Sequence, residues 1–236
     1  VLNASILVKP NSETIINVSC TERGRWSYLS RHFDDSDVVM EWKLRSAKQR
    51  SVSASLKECR AFMADQGDVW DRIDALHKSA GVASATGAMR DFFFSKSKDI
   101  EECLAAFPRV EGQVGFVFAV DGAAVGMEFV SRAGAYAHLH GKLVKSYVID
   151  SKVRKDAAQP TSPDCIRRFI DQIAQCAETG YPSTGLGEDF RYEQETVCGS
   201  ALVYENTCVH AAFFAIPPEK DRSTMYGFRH RRGFRL

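Results

Sequence analysis

The chain has 236 residues, 44% of them hydrophobic, enough for one large domain or two small ones with a substantial core. Its 31 basic and 30 acidic residues leave a formal charge of +1, so no global field recruits nucleic acid or an anionic membrane, and any anion binding is local. The longest apolar runs, such as Val114 to Val120 and Ala211 to Ile216, are far too short to cross a bilayer.

Two short strands are expected first, Ser5 to Val8 and Thr14 to Val18, joined as a hairpin by a Pro10-Asn11-Ser12 turn. They lead into Cys20-Thr21-Glu22-Arg23-Gly24-Arg25-Trp26, which gathers two guanidinium groups, a carboxylate, a thiol and an indole around one glycine. Such a loop at the end of a strand is where binding groups collect. A strand is expected around Val38 to Trp42, then a helix with Leu56, Cys59 and Phe62 or Met63 on one face. A second helix carries Val69, Ile73 and Leu76, with Asp68 as its cap. Asp99 and Glu102 read as the capping box of a short helix ending near Pro108.

The segments from Gly115 to Phe129 and from Gly199 to Phe213 echo one another in sequence and each predicts a β-hairpin. Asp121-Gly122 and Glu205-Asn206 supply turn residues that tolerate positive φ. The echo reads either as a duplicated hairpin or as two hairpins obeying the same turn chemistry. Between them two helices are expected. One spans Ala133 to Tyr147; the other has Ser162 as N-cap and Pro163 at its first position, and buries Ile166, Phe169, Ile170 and Ile173. Hairpins mixed with helices predict an α+β fold with a mainly antiparallel sheet. One domain is expected over 1–227, with a polar linker from Lys152 to Thr161 and a basic, solvated tail from Phe228 to Leu236.

The seven cysteines include no Cys-x-x-Cys pair and no zinc-type spacing. No charged leader with a long apolar run opens the chain, although a start at Val1 without Met is consistent with loss of an N-terminal piece. Reduced thiols and a cytoplasmic location are expected.

In an extended segment Arg23 and Arg25 project to one side, with Gly24 admitting a ligand closely, which suits a diphosphate; Trp26 would stack on a base or sugar. The plainer reading is a surface arginine paired with Glu22 and packed on Trp26. Cys20 reads as a buried structural thiol before it reads as a nucleophile. Glu188 and Asp189 suit either a solvated turn or a Mg²⁺ and acid–base role. His210 is a half-buried strand histidine and a candidate base.

The runs Leu2 to Trp26, ADQGDVWDRI, GQVGFVFAVDGAAVGMEF with LVKSYVID, and GLGEDFRYE through ALVYENTCVHAAFF resemble a bacterial domain named for its association with ADP-ribosylglycohydrolases and rhodanese-like phosphatases. The resemblance runs over nearly the whole chain and implies a place in NAD and ADP-ribose metabolism. Its motif positions are Glu22, Gly24, Arg25, Trp26, Gln66, Trp70, Gln113, Gly115, Gly187, Glu188 and His210. Family members carry an upstream segment that is expected to be absent here. Together these readings predict binding and hydrolysis or other processing of an ADP-ribose-like nucleotide. Glu22, Glu188 and His210 would be catalytic, and Arg23, Gly24, Arg25, Trp26 and Gln113 would bind ligand. The alternative is a non-enzymatic module that senses a nucleotide or docks onto a partner enzyme of ADP-ribose metabolism.

Overall fold

The computed structural model describes residues 1–24, 37–153 and 160–216. Arg25, Trp26, much of the linker and the basic tail lie outside the described residues. The order is α1 (Trp42–Lys57), α2 (Gln66–Ser79), α3 (Met89–Ser95), α4 (Ser97–Ala105), β1 (Gly115–Val120), β2 (Ala123–Val130), α5 (Ala133–Val153), α6 (Pro163–Ala174), β3 (Ala177–Pro182), β4 (Glu188–Glu193), β5 (Val197–Tyr204) and β6 (Thr207–Ala215). The strands form one antiparallel sheet in the order β1-β2-β6-β5-β4-β3, giving the expected α+β fold. Among the described residues no helix is long and apolar enough to cross a membrane.

Both predicted hairpins form, and their turns have positive φ at Asp121, Gly122, Glu205 and Asn206. They match in detail. Gly115 pairs with Phe129 as Gly199 pairs with Phe213, and the register shifts at Phe118/Ala119 in one and at the equivalent Leu202/Val203 in the other. The two hairpins then pair with each other through β2 and β6, where Gly126 faces Phe214, Glu128 faces Ala212 and Val130 faces His210. The offset that carries Gly115 onto Gly199 carries Gly126 onto His210 and Glu128 onto Ala212. A local two-fold axis therefore runs through the Glu128–Ala212 pair.

Alternation along the strands sorts the sheet into two faces. Phe213, Ala211, Ala201 and Val197 pack under Phe169 and Ile173 of α6. On the opposite face Phe118, Phe214, Ala212 and Cys198 pack against Trp42 and Leu44 of α1 and Tyr147 of α5, with α2 to α4 extending that core. The same face carries Glu128, Asp189, Arg191, Ser200 and His210, since these share rows with Ala212 and Leu202.

Several expectations are corrected. Ser5–Val8 and Thr14–Val18 form no ladder; residues 1–24 are an arm joined by isolated bridges, Leu2 to Val18, Leu7 to Leu186 and Glu22 to Ala88. The turn at Pro10-Asn11 does form, but Ile15 is 94% exposed, so the β-branched run has no apolar surface to cover and gains little by pairing. The strand expected at Val38 to Trp42 is absent because the Glu41 carboxylate accepts from Leu44 N–H and starts α1 at Trp42. That helix ends before Cys59, which takes φ 55°, so Leu56, Cys59 and Phe62 do not share a helical face. Asp65, not Asp68, caps α2, and Asp99 lies inside the first turn of α4. Ser162 and Pro163 start α6 as expected, but Ile170 is exposed. Strands β3 and β4 were not anticipated; residues read as a turn, Glu188 and Asp189, begin β4.

Gly126 leaves room for the buried ring of Tyr147: a Cβ there would lie 2.5 Å from its Oη and 2.6 Å from Cε1. Neither group can move far, because Tyr147 donates its hydroxyl hydrogen to Glu128 Oε1 at 2.7 Å. Gly126→Ala is expected to cost about 1–3 kcal/mol, measurable by urea unfolding, through overpacking.

Candidate functional site

A layer of charged and polar side chains lies buried between α1 and the sheet, roofed by the arm. At its centre Glu128, 1% exposed, accepts from Arg45 Nη1 at 2.5 Å and Nη2 at 3.1 Å, and from the Tyr147 hydroxyl. Burial, reinforced by that carboxylate, holds the Tyr147 pKa well above the usual phenol value, so the hydroxyl stays protonated and donates. Glu128 Oε2 also lies 3.8 Å from His210 Nε2, and His210 Nδ1 is 2.6 Å from Ser5 Oγ of the arm. Burial lowers the His210 pKa despite Glu128, so the imidazole is neutral near pH 7. A carboxylate facing Nε2 favours the proton on that nitrogen, which leaves Nδ1 to accept the Ser5 hydroxyl hydrogen.

One strand pair away, Asp189 and Arg191 form a buried ion pair, with Nε to Oδ1 at 2.5 Å and Nη2 to Oδ2 at 3.2 Å. Burial raises the Asp189 pKa, and Arg191 opposes that rise. The Arg191 guanidinium also lies 5.5 Å from the centre of the Phe62 ring. From α1, Gln49 Nε2 donates to Ser200 Oγ at 2.7 Å, and Ser200 is the cross-strand neighbour of Arg191. Lys48, 6% exposed, donates to the Leu2 carbonyl. Its pKa falls to about 7, chiefly through burial and then through the charges of Arg45 and Arg191.

The Cys20 to Gly24 segment lies elsewhere, clamped onto α2 and α3. Gln66 bonds both sides of the Cys20 backbone, accepting from its N–H at 2.8 Å and donating to its carbonyl at 2.7 Å, while Trp70 Nε1 donates to the same carbonyl at 3.1 Å. Met89 N–H donates to Thr21 O at 2.9 Å and Arg90 N–H to Glu22 Oε1 at 3.2 Å, so Glu22 holds the start of α3. Gly24 packs directly on the Thr86 backbone. Arg23 pairs with Asp74 at 2.9 Å and lies over the Trp70 ring.

A third group surrounds Gln113. Its amide donates to Gly115 O at 2.9 Å and to Tyr136 Oη at 3.0 Å, and accepts from Val110 N–H at 3.0 Å. Tyr136 and His140 continue the chain of bonds to the Phe107 carbonyl. Burial, with the Glu128 charge, pushes the Tyr136 pKa up to about 12. These groups edge a cavity of about 190 Å³ walled mainly by Phe107, Phe116, Phe118 and Val144.

The model of the ARG and Rhodanese-Phosphatase-superfamily-associated Protein domain matches residues 1–214. The chain belongs to this family. No curated protein and no solved structure matches it. The family name places the domain in the company of ADP-ribosylglycohydrolases and rhodanese-like phosphatases.

Within this ARG and rhodanese-phosphatase-associated domain, the residues singled out in the sequence fall into separate places. Gln66, Trp70, Glu22 and Gly24 meet on α2 and α3; Gln113 and Gly115 meet beside α5; His210 and Asp189 enter the buried layer. Glu188 is exposed at the start of β4 and points away from His210, because its neighbour Asp189 takes the inner face. That alternation also keeps Glu188 and Asp189 from presenting both carboxylates to one Mg²⁺ ion. No group of three or more His, Cys, Asp or Glu that could hold a metal occurs among the described residues. Arg45, Lys48, Glu128, Arg191 and Tyr147 were missed from sequence, and Asp189, read there as a turn residue or an acid–base or Mg²⁺ group, is instead the buried partner of Arg191. The available signal was a carboxylate, Glu128, in the otherwise apolar β2, and charges two apart flanking Phe190 in β4.

Proposed function

We propose that this domain binds an ADP-ribose-like or NAD-derived nucleotide and hydrolyses it in the buried layer under the arm. The observation that carries this reading is the Ser5–His210–Glu128 array beside Arg45, Lys48 and Arg191. It sets a neutral imidazole between a hydroxyl and a carboxylate, next to cations suited to phosphate oxygens. His210 acts as the base, taking a proton at Nδ1 from a hydroxyl or water in the place where Ser5 Oγ now bonds. Glu128 faces Nε2 and stabilises the imidazolium that results, while Arg45 and Tyr147 hold Glu128 in position. Glu22 and the Arg23 side chain serve this reading indirectly, by anchoring the end of the arm on α2 and α3.

The test is product analysis by mass spectrometry after incubation with ADP-ribose and with NAD. The expected result is turnover that falls about 100-fold or more in His210→Gln, the range of a lost general base. Turnover unchanged in that variant would remove His210 from the mechanism. Binding without any product would favour the sensing or docking module over the enzyme.

A further inference from the structure

We infer that Lys48 and the free edge of Arg191 form a binding site for an anionic phosphate or diphosphate group, reached when residues 2–5 of the arm lift away. This deepens the proposed function and rests on it for the identity of the whole ligand, but the anion site stands on its own geometry.

Arg45 and Lys48 of α1 and Arg191 of β4 enter the layer, and the two arginines have a carboxylate each. Arg45 is satisfied by Glu128 through two bonds, and Arg191 uses Nε and Nη2 on Asp189. What remains is one-signed. Arg191 is 2% exposed, yet its Nη1 is buried with no hydrogen-bond partner among the described residues. Lys48 makes no ion pair among the described residues, and its hydrogen bond goes to a neutral carbonyl, that of Leu2. Glu41, the other buried carboxylate of this region, caps the start of α1 at Leu44 N–H. A buried ammonium with two guanidinium groups for neighbours and no carboxylate of its own is an arrangement that burial alone disfavours. An anion would supply the missing charge, with one oxygen replacing the Leu2 carbonyl on Lys48 and another meeting Arg191 Nη1.

The roof rests on the layer through few bonds, and its other bonds join residues 1–3 to residues 17–19 of the same arm. Leu2, Asn3 and Ser5 belong to no ladder; they reach the layer and its rim through single bonds, Leu2 O to Lys48, Asn3 Nδ2 to Phe62 O at 3.0 Å, and Ser5 to His210. Lifting them would release the Lys48 ammonium and the His210 Nδ1 edge together. A phosphoryl group on Lys48 and a base on His210 would then share one opening.

Isothermal titration of the full chain with inorganic pyrophosphate, orthophosphate and sulfate tests this, with ADP-ribose as competitor. Pyrophosphate is expected to bind, and its affinity to fall tenfold or more in both Lys48→Met and Arg191→Lys, each checked for folding by circular dichroism. Arg191→Lys keeps a cation for Asp189 and removes the Nη1 donor. Pyrophosphate that fails to bind the wild-type chain, or binds both variants as well as wild type, overturns the site. Lys48-dependent pyrophosphate binding that ADP-ribose does not compete for keeps the anion site and discards the ADP-ribose reading. ADP-ribose turnover that pyrophosphate does not inhibit and Lys48→Met does not change keeps the nucleotide reading and overturns this site.

Discussion

Lys48→Met should make the ligand-free protein more stable at neutral pH, and the gain should vanish as the pH approaches 10.5. The Lys48 amine is held at about 7 in the fold against 10.5 when exposed. Because the folded value is the lower one, the native state is penalised wherever the amine is charged in the unfolded chain. The penalty is complete below about pH 7, shrinks between 7 and 10.5, and is gone above that. Its ceiling is roughly 5 kcal/mol from the size of the shift, and a measured gain of a few kcal/mol at pH 6 is expected once lost packing and the Leu2 bond are counted. Beside burial, the charges that set this are Arg45 on the same helix and Arg191 on β4; the layer also holds Asp189 on β4, Glu128 on β2 and a neutral His210 on β6, and Lys48 in turn lowers the pKa of the Val1 amino group in the arm. Urea unfolding of both proteins at pH 6, 8 and 10 gives the comparison. Equal stability at pH 6 would mean that the amine is solvated in the native state. A residue that destabilises its own fold is one that function has to account for.

Glu128→Gln is expected to lose 3–5 kcal/mol, measured by urea unfolding at pH 7, because it takes from buried Arg45 its hydrogen-bonded carboxylate partner and leaves only the weaker attraction of Glu41. The amide keeps one oxygen for Tyr147 but cannot receive both Arg45 nitrogens as a carboxylate does. The double variant Arg45→Met with Glu128→Leu should recover most of that loss, since well-packed apolar groups replace a buried pair at little cost. It should also lose the turnover proposed above, since His210 then faces no carboxylate. A Glu128→Gln protein within about 1 kcal/mol of wild type would show the pair to be a surface-like contact.

The two hairpins and α6 were legible because their signals are local: turn pairs that accept positive φ, and a serine followed by proline at a helix start. The arm was misread for the opposite reason. Its β-branched run has strand propensity, but a strand needs a neighbour, and the exposed Ile15 shows that none covers it. The site was hidden because its parts are far apart in sequence, Ser5, Arg45, Lys48, Glu128, Arg191 and His210. Only the pairing of β2 with β6 and the passage of α1 over β5 and β6 bring them together. Single-residue chemistry pointed to His210, whose counterpart in the first hairpin is Gly126, and overlooked Glu128, whose counterpart is Ala212.

Glu128 stands beside the two-fold axis that relates the hairpins, paired across it with Ala212, and its carboxylate meets groups at equivalent positions in both halves. The positions concerned are Gly126 and His210. Over the first rises the Tyr147 hydroxyl, bonded to Oε1; at the second stands the imidazole, facing Oε2. One carboxylate thus serves as hub to both copies, giving one oxygen to each. The symmetry of the scaffold supplies two identical berths, and the chemistry is made unequal only by what occupies them.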